Sequence, residues 1–481
     1  MSARWDVSGA PVPVDDLGRV HLVGVGGAGM SAVALLLAAR GVVVSGSDAA
    51  DGPALPGLRA AGVRVSVGHD AALVADVDTV VVSSAVRETN PELAAARATG
   101  LRVLHRSQAL ASLMADREAV AVAGAHGKTT TSAMVATGLL AAGRDPSWAI
   151  GGTVLTGDEA LGGGREGRGT AFVAEADESD GSFLAYAPSV AVVTNVEPDH
   201  LDHYGTREAF EDAFVAFAGR VRAGGLLVAC ADDEGARRLV TRVRGTLHDR
   251  DVRVVTYGRD PGADVVVVPA GAHDDRWQAT LQRAGTRVTL RLTVPGDHNA
   301  LNAAAAWSVL VELGVGPDEA ADALGSFRGT GRRFEDRGTV AGVRVVDDYA
   351  HHPTEVAALL RAARTVVGDG RVLVLFQPHL YSRTRTFAAE FGAALDLADR
   401  VVVTDVYAAR EDPDPSVSGA TIVDRVPTAA RATYVADKHD AAQAIADAAR
   451  PGDLVLTVGA GDVTALAPVV LTRLEQRSHA G

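Results

Sequence analysis

The stretch Val120–Thr131, VAVAGAHGKTTT, limits most sharply what this chain can become. An apolar run breaks at Gly124-Ala125-His126-Gly127 and restarts as Lys128-Thr129-Thr130-Thr131, a pattern of strand, glycine turn and helix start. Such a turn aims several backbone N–H groups inward, and the helix N-terminus adds partial positive charge, so the hollow suits nucleotide phosphates. Lys128 is placed for the β/γ-phosphates and the Thr129 hydroxyl for a Mg²⁺ ion. The spacing departs from the full G-x-x-x-x-G-K-[ST] pattern, because Val122 stands where the first glycine belongs. Composition sharpens the reading: Lys128 and Lys438 are the only lysines among 46 basic residues. A lysine kept after a glycine turn in an arginine-rich chain points to a need for a compact point charge.

A length of 481 residues suggests about three domains, and 47% hydrophobic content is ample for a core in each. With 4% aromatics, those cores must be aliphatic and alanine-rich. A formal net charge of −14 argues against a general nucleic-acid or membrane-surface binder, so an anionic ligand must be met by local donors and metal. Cys230 stands alone, which excludes an intramolecular disulfide, and no run of 18 apolar residues occurs. These features predict a cytoplasmic small-molecule enzyme with no nucleic-acid or membrane partner. Oligomeric state is not legible.

In chain order, residues 1–18 read as a polar, poorly constrained start. Arg19–Val25 is a strand ending in Gly24-Val25-Gly26-Gly27-Ala28-Gly29-Met30, and Met30–Arg40 continues as a helix stopped by Gly41. Ser47-Asp48 follows the next strand about 20 residues on, where a Rossmann-type unit places a ribose-binding acid; the alternative is that Asp48 only caps a turn. Val77–Val82 runs into Ser83-Ser84, and this first domain ends at residue 116. The second, 117–329, carries strands Ala171–Ala176 and Val190–Asn195. Their polar ends, Glu175-Ala176-Asp177-Glu178-Ser179-Asp180 and Asn195 through His203, belong beside the phosphate loop, because ligands sit at strand carboxyl ends of open parallel sheets. Asp251–Val294 reads as a hairpin-rich edge, and Asn299 and Asn302 share the first turn of a helix running to Leu313. The third domain, 330–481, repeats the strand-then-polar-tip plan at Asp347–Pro353, Gln377–Arg383, Tyr407–Asp412 and Gly459–Asp462. The predicted class is therefore α/β in three domains.

These stretches resemble the Mur ligases, and within them the alanine-adding branch. GVGGAGMS from Gly24, GAHGKTTT from Gly124, EADESDGSF from Glu175, TNVEPDHLDHY from Thr194, GDHNALNAAAA from Gly296, GTGRRFE from Gly329, DDYAHHPTE from Asp347, FQPHLYSRT from Phe376, DVYAAREDP from Asp405 and TVGAGDV from Thr457 match in order across the chain. The resemblance implies a Rossmann-like N-terminal domain, a central P-loop ATPase domain with a mainly parallel sheet, and a Rossmann-like C-terminal domain. It implies an ATP- and Mg²⁺-dependent ligase acting on UDP-N-acetylmuramate and L-alanine through an acyl phosphate.

On that resemblance Lys128, Glu175, His200 and Arg333 are the catalytic set, and Thr129, Glu175 and His200 the metal ligands. ATP would contact Gly124 through Thr130 together with Asn299, Asn302, Arg333 and Asp348, the latter two brought by the third domain. The UDP-sugar falls to Gly26, Gly27, Ala28, Gly29, Met30, Ser47, Asp48, Ser83 and Ser84, and the amino acid to His351, His352, His379 and Arg383. Two departures matter. No lysine lies between Lys128 and Lys438, so the carbamylated lysine of several relatives is absent, and Leu380 stands where many members carry arginine. Three other readings stay open: a recycling ligase of the same family that adds a tripeptide, a nicotinamide-dependent dehydrogenase, and a non-catalytic nucleotide-binding regulator.

Overall fold

The computed structural model describes residues 7, 9–156, 159–273, 276–409 and 411–480. Residues 1–6 and 8 of the start expected to be poorly constrained, and Arg410 of the Tyr407–Asp412 strand tip, lie outside the described residues. The chain forms two compact units. One comprises the chain up to Ala270 with Gln278–Leu292 and Ala300–Arg328; the other comprises Gly271–Trp277, Thr293–Asn299 and Gly329 onward.

The first unit opens with β1 (Val20–Val23), α1 (Ala28–Ala39), β2 (Val44–Asp48), α2 (Leu55–Ala60), β3 (Arg64–Val67), β4 (Thr79–Val82), α3 (Pro91–Ala98), β5 (Arg102–His105) and α4 (Arg106–Met114). The five strands form a parallel sheet in the order β3-β2-β1-β4-β5. Strand order reverses between β1 and β4, which opens a crevice at their carboxyl ends. The second strand begins later than its apolar run suggests: Val43 is exposed and pairing starts at Val44.

The same unit continues through β6 (Glu118–Ala123), α5 (Lys128–Ala141), β7 (Ser147–Ala149), the antiparallel pair β8 (Val154–Thr156) and β9 (Glu159–Leu161), β10 (Gly164–Arg165), β11 (Ala171–Glu175), β12 (Val190–Val193), α6 (Leu201–Tyr204), α7 (Arg207–Gly219), β13 (Leu226–Cys230), α8 (Glu234–His248) and β14 (Arg253–Gly258). Then come β15 (Val265–His273), β16 (Arg276–Arg283), β17 (Thr286–Leu292), α9 (Asp297–Glu312), α10 (Pro317–Leu324) and β18 (Phe327–Thr330). Ten strands make one sheet, β10-β7-β11-β6-β12-β13-β14-β15-β16-β17, parallel from β7 to β15. The expected boundary at residue 116 runs inside this unit. Buried side chains from Leu17 to Val252 form a continuous core across both sheets, and Arg40 reaches Asp116 (3.1 Å) and Glu166 (3.0 Å).

The second unit is built from β19 (Glu335–Val340), β20 (Val343–Asp348), α11 (Pro353–Val367), β21 (Val372–Phe376), α12 (Tyr381–Thr386), α13 (Ala388–Leu395), β22 (Arg400–Val403), α14 (Ala420–Val423), β23 (Ala432–Tyr434), α15 (Lys438–Ala448), β24 (Leu454–Val458) and α16 (Ala467–Ala480). Its sheet runs β19-β20-β24-β21-β22-β23, parallel apart from the β19–β20 hairpin. Pro353 opens α11, since its missing N–H falls where a helix has no partner for one. No helix among the described residues is long and apolar enough to cross a membrane.

Candidate active site

In the first unit, register decides what meets the glycine turn. Strand β11 pairs with β6 so that Glu175 stands level with Val122, and β12 pairs on the other side with Val193 level with Ala123. Both polar tips therefore end beside Gly124–Gly127. Gly127 caps α5 with φ +81°, and a Cβ there would lie 2.7 Å from Asn302 Oδ1; a Cβ on Gly124 would lie 2.1 Å from Thr194 Oγ1. Only glycine fits both positions. Asn195 clamps the turn from β12, accepting from His126 N at 3.0 Å and donating to His126 O at 2.9 Å.

Lys128 Nζ donates to Gly124 O (2.6 Å) and Ala125 O (3.2 Å) and pairs with the fully buried Glu178 carboxylate (2.9 Å). Burial opposes its charge, but Glu178, Asp177 and Glu175 more than offset that and hold the amine above the usual lysine range. Thr129 Oγ1 donates to Glu175 Oε1 (2.9 Å), whose Oε2 accepts from Gly151 N (2.7 Å). His200, with φ +52°, holds Nε2 at 3.6 Å from Asp199 Oδ2 and 3.9 Å from Glu178 Oε1. A hydroxyl oxygen and a carboxylate in contact, bordered by imidazole and further carboxylates, suit a hard divalent cation. Lys128, Thr129, Glu175 and His200 are thus brought together, with Asn302 beneath Gly127 and Thr130 in the first turn of the helix. Glu178 and Asn195 were not singled out from sequence. Each sits in a polar strand tip whose inward members only packing reveals.

At the other glycine loop the geometry redistributes roles. Ser47 is fully buried, its hydroxyl donating to Glu92 Oε2 (2.6 Å) with His69 Nδ1 at 3.0 Å. It braces the strand tip from behind instead of facing a ligand. Asp48 Oδ2 accepts from Gly26 N (2.8 Å), so this acid holds the loop. Ser84 is exposed and donates to Asp180, while Ser83 is half-buried. Gly27, Ala28 and Gly29 start α1 at the surface, and the Met30 side chain enters the core.

In the second unit, Arg332 and Phe334 take positive φ (+59° and +51°) on either side of Arg333. Arg332 is committed to Asp347 (3.3 Å) and Gly459 O (2.6 Å), whereas Arg333 touches Glu355 only at 3.8 Å and lies over the Tyr349 ring at 5.0 Å. Arg333 is therefore the available guanidinium of the pair. Asp348 accepts from Phe334 N (2.7 Å) and Ala350 N (2.8 Å), which ties this acid to the turn carrying Arg333; burial pushes its carboxyl up to about 6. Asn299 is buried and donates to Pro295 O (2.7 Å).

His351 and His379 meet edge to face at 5.9 Å between ring centroids, and Arg383 Nη1 lies 3.4 Å from His379 Nδ1. Acceptors at Tyr349 O (3.0 Å) and Glu355 Oε2 (3.3 Å) put the His351 proton on Nδ1 and leave Nε2 as an acceptor. Burial, with Arg383 and Arg333 nearby, drives this imidazole down to about 3, so it is neutral. His352 is separated from these three: it is buried with its ring against Phe387 (5.0 Å). The helical stretch after the strand tip is interrupted at Phe387, which leaves Arg383 in a six-residue helix with little dipole to offer. Leu380 is buried and Arg385 is paired with Asp414, so neither adds a free cation.

This chain belongs to the Mur ligase family. Residues 19–118 match the Mur ligase family catalytic domain, 122–310 the Mur ligase middle domain and 332–461 the Mur ligase glutamate ligase domain. It is 61% identical to a UDP-N-acetylmuramate–L-alanine ligase of Kineococcus radiotolerans, over 96% of this chain and 97% of the relative. A protein of the same name from Renibacterium salmoninarum is 55% identical over 98% and 100%. Among solved structures, UDP-N-acetylmuramate-alanine ligase from Thermotoga maritima superposes with a TM-score of 0.78 at 31% identity, covering 96% of this chain and all of the other. A murein peptide ligase from Psychrobacter arcticus gives 0.70 at 25%, covering 95% and 99%.

Proposed function

We propose that this protein is an ATP-dependent ligase joining L-alanine to the lactoyl carboxylate of UDP-N-acetylmuramate, with release of ADP and phosphate, in peptidoglycan precursor synthesis. One observation carries the reading: Lys128, Thr129 and Glu175 converge at an anion-binding turn in a chain 50–61% identical, over nearly its whole length, to proteins named for this reaction. The tripeptide-adding alternative is not favoured, since the murein peptide ligase resembles the chain at 25% identity. A dehydrogenase leaves the converged Lys128 site without a purpose, and a non-catalytic nucleotide-binding regulator leaves the third domain's strand tips, with His351, His379 and Arg383, unexplained.

A carboxylate resists an amine because its negative charge repels the nucleophile. Moving the γ-phosphoryl group of ATP onto a carboxylate oxygen makes an acyl phosphate; the alanine amine then adds to its carbonyl carbon, and phosphate leaves. Lys128 supplies a fixed positive charge to the transferring group and Arg333 a second, which is the positioning and neutralisation that phosphoryl transfer needs. Thr129, Glu175 and His200 would hold Mg²⁺, which when bound neutralises phosphate oxygens. Neutral His351 suits acceptance of the proton shed by the amine, and Arg383 suits the alanine carboxylate as a fork. In this reading residues 1–116 bind the sugar nucleotide, 117–329 ATP and 330–481 the amino acid, and the enzyme works in the cytoplasm. Phosphate release measured with UDP-N-acetylmuramate and a panel of amino acids plus the tripeptide tests it. Release that requires both the sugar nucleotide and L-alanine is expected; release with the tripeptide alone overturns it.

A further inference from the structure

The turn that presents Arg333 is held from both faces of one strand. β20 ends in Asp347-Asp348, whose side chains leave opposite faces of the sheet because successive strand residues alternate. Asp348 grips the turn at Phe334 N (2.7 Å), and Asp347 grips it at Arg332 Nε (3.3 Å). Asp347 has further donors on both oxygens: Oδ1 accepts from Thr457 Oγ1 (2.7 Å) on β24, and Oδ2 from Thr464 Oγ1 (2.7 Å) in the helical turn Asp462–Leu466. Register brings β24 there, since it lies beside β20 with Thr457 level with Asp347. The Asp347 carboxylate is fully buried under these donors, so it is closed to a ligand.

A buried ion pair is a poor source of stability, because desolvating the charges offsets their attraction. This one fixes a choice between two neighbours. Arg332 and Arg333 are adjacent, and both guanidinia lie over the Tyr349 ring, at 4.8 and 5.0 Å. Without a further constraint either could meet an anion. Asp347 and Gly459 O (2.6 Å) draw Arg332 inward, whereas Arg333 touches Glu355 only at 3.8 Å. The positive φ values of Arg332 and Phe334 (+59° and +51°) are unfavourable for residues with side chains and persist where the surroundings impose them. We propose that Asp347 is a positioning residue for the reaction: by anchoring Arg332 it holds the turn in the conformation that offers Arg333, and not its neighbour, to the transferring phosphoryl group. This rests on the reading of Arg333 as the second cation of that step.

Steady-state kinetics of Asp347→Asn, Thr464→Val, Thr464→Ser, Arg333→Met and the Arg333→Met/Asp347→Asn double variant test it. Asp347→Asn should lower kcat by roughly 10- to 100-fold through loss of a charged hydrogen bond, while the KM for L-alanine and the calorimetric affinity for UDP-N-acetylmuramate stay within about threefold of wild type. Thr464→Val removes one donor from the same oxygen and leaves the ion pair, so it should lower kcat by about threefold, and Thr464→Ser should keep it. Arg333→Met should itself lower kcat by about 10²-fold or more, and adding Asp347→Asn should then change kcat by less than about threefold, because the turn has no guanidinium left to present. Asp347→Asn with wild-type kcat, or with the same fold loss whether Arg333 is present or not, overturns the proposal. Should Asp347→Asn fail to fold, Thr464→Val decides, and an unchanged kcat in that variant overturns it. Arg333→Met with wild-type turnover would instead remove the reading of Arg333, and the proposal with it.

Discussion

Lys128 Nζ and Glu178 Oε2 lie 2.9 Å apart at the foot of the glycine turn, with Glu178 fully buried. The pair holds the ammonium against its own loop carbonyls before any phosphate arrives, so the charge is preorganised and its seat is narrow. Lys128→Arg should therefore abolish turnover, by about 10²-fold or more, because a planar fork cannot occupy a seat shaped for a point charge. Phosphate release and a thermal melt check it: activity within a few-fold of wild type would remove Lys128 from the reaction, while the melt should keep a single cooperative transition, lowered because buried Glu178 loses its partner.

Thr129 and Glu175 touch, and His200 lies 3.9 Å from Glu178, the carboxylate that pairs with Lys128 beside Thr129, so on the proposed reading one cation would serve all three. Glu175→Ala and His200→Ala should each raise the Mg²⁺ concentration needed for half-maximal activity. The double variant should fall far short of the summed losses, since either change alone disables the shared ion. Simple additivity with unchanged Mg²⁺ titration curves would refute a shared metal.

Arg383 is buried beside His379, while its neighbours at 380 and 385 are apolar and already paired. Arg383→Lys keeps the charge and loses the fork, so the KM for L-alanine should rise by roughly 10- to 100-fold. Calorimetric binding of UDP-N-acetylmuramate should scarcely change. An unaltered alanine KM, or an equal loss of sugar-nucleotide affinity, would place the alanine carboxylate elsewhere.

Asp348 yields a prediction in pH. Burial lifts its carboxyl from 3.8 to about 6, so between these values the folded chain holds a proton that the unfolded chain releases. The contribution is fully present below the lower value and declines as pH rises through the upper one, by about 3 kcal/mol at 1.36 kcal/mol per unit. The stability of wild type minus that of Asp348→Asn, from denaturant midpoints, should fall accordingly from about pH 4 to pH 7. A flat difference would mean that Asp348 is already ionised in the fold at pH 4.

The chain order alone carried the elements whose cause is local, at Val120–Thr131 above all. Strand, glycine turn and helix start at Val120–Thr131 can be read because apolar periodicity, positive-φ glycine and helix-start chemistry act over a few neighbouring residues. For the same reason α11, β21 and β24 fall where their patterns put them, and the ordered motifs mark the family. What lay beyond reach was the direction in which equally polar residues face. Glu175 meets Thr129 because β11 adds beside β6 in one register, and a slip by one residue would turn it to the other face. Ser47 and His352 read as ligand contacts in sequence, but packing turns them onto Glu92 and Phe387. Glu178 reads as an ordinary charge. Only the fold pairs Glu178 with Lys128, because it brings together two side chains 50 residues apart in the chain.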